Sequence, residues 1–322
     1  MRIISADEVN ETLDFPALIN VLRDAFRKGA VQPVRHHHTV ERPQGEPTTL
    51  LLMPAWTDFA GDGAEGNGHI GVKIASVSPD NNKVGKPAVM AQYLLLDGTT
   101  GEQQALIDGA SLTLWRTAAA SALAADYLAR PDASRLLVVG AGALSRYLAR
   151  AHSALRPIRE IAIWNRTPEN AKRVAADLAA DGLETRVVAD IEPALAEADI
   201  VTAATISTVP LIHGAALKPG THVDLVGAFS PTMRESDDEA MRRARVYVDT
   251  RGGALKEAGD IVQAISSGAL SEDAIAGDLF QLARGEADGR RGTDEITLFK
   301  SVGAALEDFA AAIYVAGRKA KG

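Results

Sequence analysis

The sequence predicts an α/β protein in which a doubly wound parallel sheet is joined to a second, discontinuous α+β domain. From residue 135 onward, strand and helix patterns alternate, which is typical of a parallel sheet covered by helices on both faces. Before residue 109 the strand patterns are separated by turns, which indicates a meandering sheet. An apolar segment, 296–317, closes the chain, and we predict that it is one helix packing back on the first domain.

The first elements are helical. Residues 6–29 contain two helical stretches, and Ser5 with Glu8 predicts a capping box at the start of the first. Strands are then expected at 48–54 and 69–78, and the Gly- and Asp-rich segment DFAGDGAEGNG between them is predicted to be a mobile loop.

A hairpin and a long helix follow. Within 92–108, Asp97-Gly98 and Gly101 mark the turn between two strands. The Ala-rich stretch 109–129 predicts a helix that leads into the second domain. The later strands are predicted at 135–139, 160–164, 185–189, 199–204, 222–226 and 245–248.

These elements define the domain boundaries. We assign 1–120 and 298–322 to a substrate-binding and dimerisation domain and 121–297 to a dinucleotide-binding domain.

Composition excludes several classes of protein. The chain of 322 residues is long enough for two domains, and its net charge of −8 disfavours nucleic acid and anionic membranes as partners. It has no cysteine, so no disulfide, thiol nucleophile or thiolate metal site is available. The sequence shows no signal peptide and no apolar run of about 18 residues, so we expect a cytoplasmic protein.

A nucleotide-binding motif lies where the strand RLLVV meets a helix pattern. The strand ends at Gly140-Ala141-Gly142, Ala143 follows, and the small Ser145 takes the place of a third glycine. A second strand, EIAIWN, begins 20 residues after Gly140. This context predicts a dinucleotide site of the Rossmann type, and a phosphate-free βαβ turn is the alternative.

The end of that second strand indicates which cofactor binds. An NAD-specific site usually has an acid here, whereas this chain has Asn165, Arg166 and Thr167. A guanidinium, an amide and a hydroxyl suit a 2′-phosphate, so we expect NADPH, with NADH as a weaker alternative. The competing interpretation is that Thr167 only caps a helix ahead of Pro168.

Three cations of the first domain are candidate ligands for a carboxylate. Arg35, Lys73 and Arg116 lie near the ends of predicted elements, and an arginine can bind a carboxylate through two parallel hydrogen bonds. Each has a structural alternative. Arg35 could be a solvated loop arginine, and Lys73 an exposed lysine on the face opposite Val72 and Ile74. Arg116 could form an interdomain salt bridge.

Eight segments match one family in sequence and in order. They are QPVR, GVKIAS, LIDGASLTLWRTAAASALAA, GAGALSR, IWNRT, VGAFSPTMRES, ALKEAGD and TLFKSVGAALED. Together they resemble the ornithine cyclodeaminase and μ-crystallin family over essentially the whole chain. Within it, the chain is most similar to the branch of Δ1-pyrroline-2-carboxylate and cyclic ketimine reductases.

The resemblance implies roles for individual residues. Lys73 matches the family's active-site lysine, and Arg35 and Arg116 match its two substrate-binding arginines. Further cofactor contacts are implied at Thr205, Val226, Gly227 and Ser301. The resemblance also implies a homodimer paired through the first domain.

One residue separates the possible reactions. Phe229 stands where the cyclodeaminases carry their catalytic aspartate, and the nearest acid, Asp224, lies inside the preceding strand and is expected to be structural. Phe229 could line the site of an apolar ring or simply pack in the core. Since repeated proton transfers suit a positioned carboxylate, its absence favours imine reduction over cyclodeamination.

Other polar clusters carry less weight. The run His36-His37-His38 is not expected to bind a metal, because adjacent side chains point apart and no acid flanks the run. Glu257 and Asp260 could reach the nicotinamide or cap a helix.

We therefore expect an enzyme, an NADPH-preferring reductase of a small cyclic imino acid. Its substrate would be Δ1-pyrroline-2-carboxylate, giving L-proline, with Δ1-piperideine-2-carboxylate, giving L-pipecolate, as a second substrate. The alternatives are ornithine cyclodeaminase, a dehydrogenase of alanine or of N-substituted amino acids, and a non-catalytic ligand-binding protein similar to μ-crystallin.

Overall fold

The computed structural model describes residues 1–60 and 68–318, and the chain divides into two units. Unit 1 comprises Met1–Thr117 and the segment from Ala304 onward, and unit 2 comprises Ala118–Gly303. Most of the predicted loop DFAGDGAEGNG, residues 61–67, lies outside the described residues.

Unit 1 is built on a mixed six-stranded sheet in the order β1-β6-β5-β4-β3-β2. Only the β1–β6 pair is parallel among the strand pairs described in this sheet. The strands are β1 (Arg2–Ile4), β2 (His36–Val40), β3 (Thr48–Trp56), β4 (His69–Val77), β5 (Val89–Asp97) and β6 (Gln103–Asp108). Both β1 and β2 lie outside the strands that the sequence predicted.

Helices of unit 1 cover one face of this sheet. They are α1 (Ala6–Thr12), α2 (Phe15–Lys28), the first part of α3 (Gly109–Leu128) and α11 (Ala305–Gly317). Helix α11 packs against β3, β4 and β5, and α2 packs against α11. The amide of Glu8 donates to Ser5 Oγ as predicted, but the Glu8 carboxylate pairs with Arg2 instead of completing a capping box.

Unit 2 contains the predicted doubly wound sheet. Its eight strands, all parallel where they pair, run in the order β13-β12-β14-β11-β10-β7-β8-β9. They are β7 (Arg135–Val139), β8 (Glu160–Trp164), β9 (Thr185–Val187), β10 (Ile200–Ala203), β11 (His222–Leu225), β12 (Ala244–Val248), β13 (Gly277–Asp278) and β14 (Ile296–Lys300). Leu137 and Val139 pack in one core cluster and Leu136 and Val138 in another, as expected for a sheet covered on both faces.

The helices of unit 2 connect these strands. They are α4 (Ser145–Leu155), α5 (Pro168–Ala180), α6 (Ile191–Glu197), α7 (Asp238–Arg243), α8 (Arg251–Glu257), α9 (Gly259–Ser267) and α10 (Leu279–Arg284). No helix in the described ranges combines the length and the apolar character needed to cross a bilayer.

The prediction of one helix over 296–317 is wrong for its first part. Ile296–Lys300 is strand β14, inserted between β11 and β12, and the helix begins only at Ala305. All five residues of β14 are buried, and a short run of mainly apolar residues does not distinguish a buried strand from a helix. Gly303, with φ of +82°, lies between the two elements.

Candidate functional site

The loop after β7 has the geometry of a phosphate-binding turn. Gly140 has φ of +105°, and a Cβ there would lie 2.7 Å from the carbonyl oxygen of Ala204, so the turn requires glycine. A Cβ on Gly142 would meet no atom within 4 Å, which leaves its backbone open to a ligand. Ser145 begins α4, whose N-terminus favours an anion.

This turn lies where the strand order of unit 2 reverses. β7 lies between β8 and β10, and the loops after β7 and β10 touch at Gly140 and Ala204. In open α/β sheets, ligands bind outside the carboxyl ends of the strands at such a point. The described residues therefore fit a dinucleotide, with its pyrophosphate near 140–143.

The three residues at the end of β8 have different environments. The amide of Asn165 joins two loops, because its Oδ1 accepts from the backbone nitrogen of Ala141 at 3.1 Å and its Nδ2 donates to the Thr167 carbonyl at 2.8 Å. Arg166 is exposed. Thr167 is the N-cap residue of α5, as predicted, yet its side chain makes no capping hydrogen bond.

Thr205, Val226 and Gly227 follow β10 and β11 at the same edge of the sheet. Thr205 donates from its backbone nitrogen at 2.6 Å and from its hydroxyl at 2.8 Å to one carboxylate oxygen of Glu235. The amide of Gly227 donates to the other oxygen at 2.7 Å. Sequence reasoning missed Glu235; its only signal is an acid within the segment VGAFSPTMRES.

Ser301 follows directly after β14, which ends at Lys300. Ser301 is buried, and its amide donates to the Leu225 carbonyl at 3.1 Å. The amides of Val302 and Gly303 both donate to Asp249 at 2.7 Å, so a carboxylate also holds this loop.

In unit 1, Lys73 lies on the covered face of the sheet. Lys73 and its neighbours lie on opposite faces of the sheet, as predicted. The buried face is the one that carries the lysine, because Lys73 is 4% exposed and Ile74 is 45% exposed. The interpretation of Lys73 as an ordinary exposed strand lysine is therefore wrong. Its Nζ lies 2.7 Å from Oδ2 of Asp308, on α11, and 3.5 Å from the hydroxyl of Thr113.

Arg116 is buried beside Lys73 and shares one of its acids. Nε of Arg116 donates to Oδ1 of Asp308 at 3.0 Å, and Nη1 donates to Oε2 of Glu307 at 2.6 Å. All of these residues belong to unit 1, so an interdomain salt bridge is the wrong interpretation of Arg116. We call Lys73, Arg116, Glu307 and Asp308 the cationic cluster.

Burial and charge set the protonation of this cluster. Burial, with the positive charge of Arg116, lowers the pKa of Lys73 to about 8, although Asp308 opposes the shift. The charge of Arg35, just before β2, contributes to this lowering of the Lys73 pKa. Asp308 keeps a pKa below its usual range in spite of burial, because both cations favour its ionised form. The cluster thus holds a lysine that can exchange a proton near neutral pH.

Tyr93 lies beside this cluster on the paired strand, opposite Lys73. Its hydroxyl is buried and has no hydrogen-bond partner among the residues described. Burial, together with the charge of Asp308, raises the pKa of Tyr93 well above its ordinary value.

The remaining candidates have simpler environments. Phe229 is 44% exposed, so its interpretation as core packing is wrong. Asp224 is fully buried and accepts from the Thr202 hydroxyl at 2.6 Å, which supports a structural role. His36–Val40 is an exposed strand, and the described ranges contain no cluster of three or more side chains suited to a metal ion.

The same family is found by comparison with a family model, with individual relatives and with solved structures. The family model described as ornithine cyclodeaminase/mu-crystallin matches residues 1–322. A Δ1-pyrroline-2-carboxylate reductase of Paracoccus denitrificans is 40% identical over 299 residues, covering 90% of this chain and 92% of that protein.

Two solved structures share the fold over nearly the whole chain. The Thermococcus litoralis Δ1-pyrroline-2-carboxylate reductase, in complex with NADH and L-proline, has a TM-score of 0.91 and 32% identity, covering 98% of this chain and 96% of that one. An archaeal alanine dehydrogenase dimer with bound NAD has a TM-score of 0.88 and 28% identity, covering 98% and 95%.

Proposed function

Because this chain belongs to the ornithine cyclodeaminase/mu-crystallin family, we propose that it is an oxidoreductase that reduces a small cyclic imino acid with a nicotinamide cofactor. The preferred substrate is Δ1-pyrroline-2-carboxylate, and Δ1-piperideine-2-carboxylate is the second candidate. The observation that carries the proposal is the buried Lys73, held between Asp308 and the charge of Arg116. Reductases named for this reaction in Paracoccus and Thermococcus support it.

The cationic cluster would bind the substrate carboxylate. Nε and Nη1 of Arg116 donate to Asp308 and Glu307, respectively, so a substrate carboxylate would bind through Nη2. Arg35, which adds positive charge near Lys73, would be the second arginine of the site. This arrangement holds the imine in one orientation, which is the main requirement for hydride transfer to a preformed C=N bond.

Lys73 would supply the proton that the reaction needs. Reduction of a neutral imine adds a hydride to carbon and a proton to nitrogen. With a pKa of about 8, Lys73 is protonated at neutral pH yet able to give up its proton. When bound, the cofactor supplies the hydride.

Residues at the carboxyl edge of the unit 2 sheet would hold the cofactor. The turn at Gly140–Ala143 suits the pyrophosphate. The exposed Arg166 and the hydroxyl of Thr167, which makes no capping hydrogen bond, suit a 2′-phosphate. We therefore propose a preference for NADPH over NADH. Asn165 would act indirectly, by holding the glycine turn through Ala141.

We also propose that the protein is a homodimer paired through the open face of the unit 1 sheet. That face carries apolar side chains that no helix covers in the described ranges, including Val72, Ile74, Met90 and Leu94. Such a face in water favours association. Analytical ultracentrifugation should give twice the monomer mass, and Ile74→Asp should give monomers; a wild type that is monomeric at micromolar concentration would contradict the pairing.

One assay series tests the proposed reaction. Oxidation of NADPH and NADH would be followed with pyrroline-2-carboxylate, with piperideine-2-carboxylate and with pyruvate plus an amine, and ammonia release would be measured with L-ornithine. We expect the cyclic imines to turn over and ornithine to be inert, because Phe229 stands where the cyclodeaminases carry an acid. Ammonia release from ornithine at a comparable rate would reassign the chain to the cyclodeaminases. Turnover only with pyruvate plus an amine would assign it to the amino acid dehydrogenases.

A further inference from the structure

Glu235 is a fully buried carboxylate that joins two loops of the cofactor-binding edge. Its Oε1 accepts from the backbone and hydroxyl of Thr205, after β10. Its Oε2 accepts from the amides of Gly227 at 2.7 Å and Ala228 at 3.3 Å, after β11. One side chain therefore holds both loops, using four donors.

These loops lie beside the glycine turn. A Cβ on Gly140 would lie 3.1 Å from Cγ2 of Thr205, so the residue held by Glu235 lies close to the turn. Gly227 is packed so closely that a Cβ would overlap the Thr205 carbonyl oxygen. The carboxylate thus sets the position of these two loops relative to each other, beside the turn.

Glu235 is in turn held in place by two buried charged residues. Asp260 Oδ1 accepts from the backbone nitrogens of Glu235 and Ser236, both at 2.9 Å. Nζ of Lys300, at the end of β14, lies 3.2 Å from Oδ2 of Asp260 and 3.9 Å from Oε2 of Glu235. We call Glu235, Asp260 and Lys300 the carboxylate cluster.

The location of this cluster indicates which half of a dinucleotide it serves. In the doubly wound fold, the ribose next to the adenine is bound at the end of the second strand, here β8, and the pyrophosphate at the glycine turn. The other half of the cofactor then extends over the ends of β10 and β11, on the far side of the reversal in strand order. That half carries the nicotinamide.

We propose that Glu235 is a positioning residue for the nicotinamide ring of the cofactor, acting through the backbone of Thr205 and Gly227. The inference rests on the proposed use of a nicotinamide dinucleotide. A glutamine could not replace the carboxylate, because its amide nitrogen would face donors where an acceptor is required.

The test compares Glu235→Gln with Asp199→Asn. Asp199 is a buried acid of the same unit that accepts from the amides of Ser134 and Arg135, at the opposite edge of the same sheet. Dissociation constants would be measured by titration for NADPH, NADH and ADP-ribose, which lacks the nicotinamide, and thermal midpoints would be measured in parallel.

A positioning role predicts a divided result. Glu235→Gln should weaken both dinucleotides about tenfold or more while leaving ADP-ribose binding unchanged, since losing hydrogen bonds to a charged group has effects of that size. Asp199→Asn should lower the thermal midpoint and leave all three affinities unchanged. Equal weakening of ADP-ribose and the dinucleotides by Glu235→Gln would mean a merely structural role and overturn the proposal.

A milder variant covers the case in which Glu235→Gln does not fold. Thr205→Val removes the hydroxyl that donates to Glu235 and accepts from the Ser207 amide, and it leaves the backbone bond to Glu235 in place. It should weaken the dinucleotides without affecting ADP-ribose, and no change in either would overturn the proposal. Failure of the proposed function has a different signature, because the wild type would then bind none of the three ligands.

Discussion

Both units bury charged side chains, but they use them differently. In the cationic cluster of unit 1, Lys73 and Arg116 are bound by the side chains of Asp308 and Glu307. In the carboxylate cluster of unit 2, Glu235 and Asp260 mainly accept from backbone amides. In the cationic cluster, side chains pair with side chains, and titratable groups remain that could bind a ligand. In the carboxylate cluster, the acids bind backbone amides and so hold the loops in one conformation. Under the proposed function, this difference would place the proton transfer in unit 1 and the positioning of the cofactor in unit 2.

The strongest test of this division is Lys73→Met. It should lower kcat/KM for the cyclic imine by about 10³-fold, because it removes both a proton donor and a carboxylate contact. Cofactor affinity, measured by fluorescence titration, should stay at the wild-type value. Normal turnover would show that Lys73 takes no part in the reaction. A loss of cofactor binding would show that the two units do not have separate roles.

The pairing within the cationic cluster is tested by Asp308→Asn. Leaving Lys73 and Arg116 with one carboxylate should lower the free energy of unfolding by about 3–5 kcal/mol. Urea denaturation measures this, and the double variant Lys73→Met with Asp308→Asn should recover part of the loss. If the double variant is less stable than Asp308→Asn alone, the lysine and the aspartate do not act as a buried pair.

Cofactor selectivity sharpens the assignment of unit 2. Arg166→Ala should reduce the preference for NADPH over NADH by about 1.5–3 kcal/mol, the contribution of a charge-assisted hydrogen bond. The ratio of the two dissociation constants measures it. A wild type that binds both cofactors equally would refute the 2′-phosphate assignment.

A pH profile reports on Lys73 directly. Since the pKa of Lys73 is about 8, kcat/KM should fall about tenfold per pH unit above that value as the proton donor is lost. The contribution of Lys73 to the free energy of unfolding should instead rise with pH. Lysine in the unfolded chain keeps a pKa near 10.5, so between about 8 and 10.5 the unfolded state binds more protons and the Lys73 contribution rises with pH. Lys73→Arg should remove the decline in rate, and persistence of the decline would assign it to another group.

The smallest effect is expected at Tyr93. Tyr93→Phe removes a buried hydroxyl that has no partner in the part of the chain described, so stability should stay the same or rise by up to about 1 kcal/mol. Tyr247→Phe is the matched control, because the Tyr247 hydroxyl donates to the Asp288 carbonyl at 2.7 Å and its loss should destabilise. A Tyr93→Phe variant that loses stability would mean that the hydroxyl is bonded in solution.

The sequence predicted the doubly wound sheet well because its strands are apolar and its turns carry glycines. β7 and β8 match the predicted ranges without change. It failed at β14, whose apolar residues Ile296, Leu298 and Phe299 come shortly before an apolar helix. Local periodicity cannot show that a segment inserts between two strands formed much earlier in the chain.

The candidate site was predictable where a residue type is unusual in its pattern. Arg116 within an apolar helix and the absence of an acid at Asn165 were both visible. Glu235 and Asp308 were not, because their roles depend on partners 30 and 235 residues away, Thr205 and Lys73. The burial of Lys73 was also hidden, since alternation shows which residues share a face and not which face a helix covers.

The position of the last 27 residues, from Ile296, has a consequence for synthesis. β14 completes the sheet of unit 2, and α11 then supplies both acids of the cationic cluster to unit 1. A chain emerging from the ribosome cannot finish either core until this stretch has left the exit tunnel. Neither unit can therefore complete its core before residues 296–317 have been synthesised, and a nascent chain stopped before residue 296 should be captured by chaperones and cut readily by proteases.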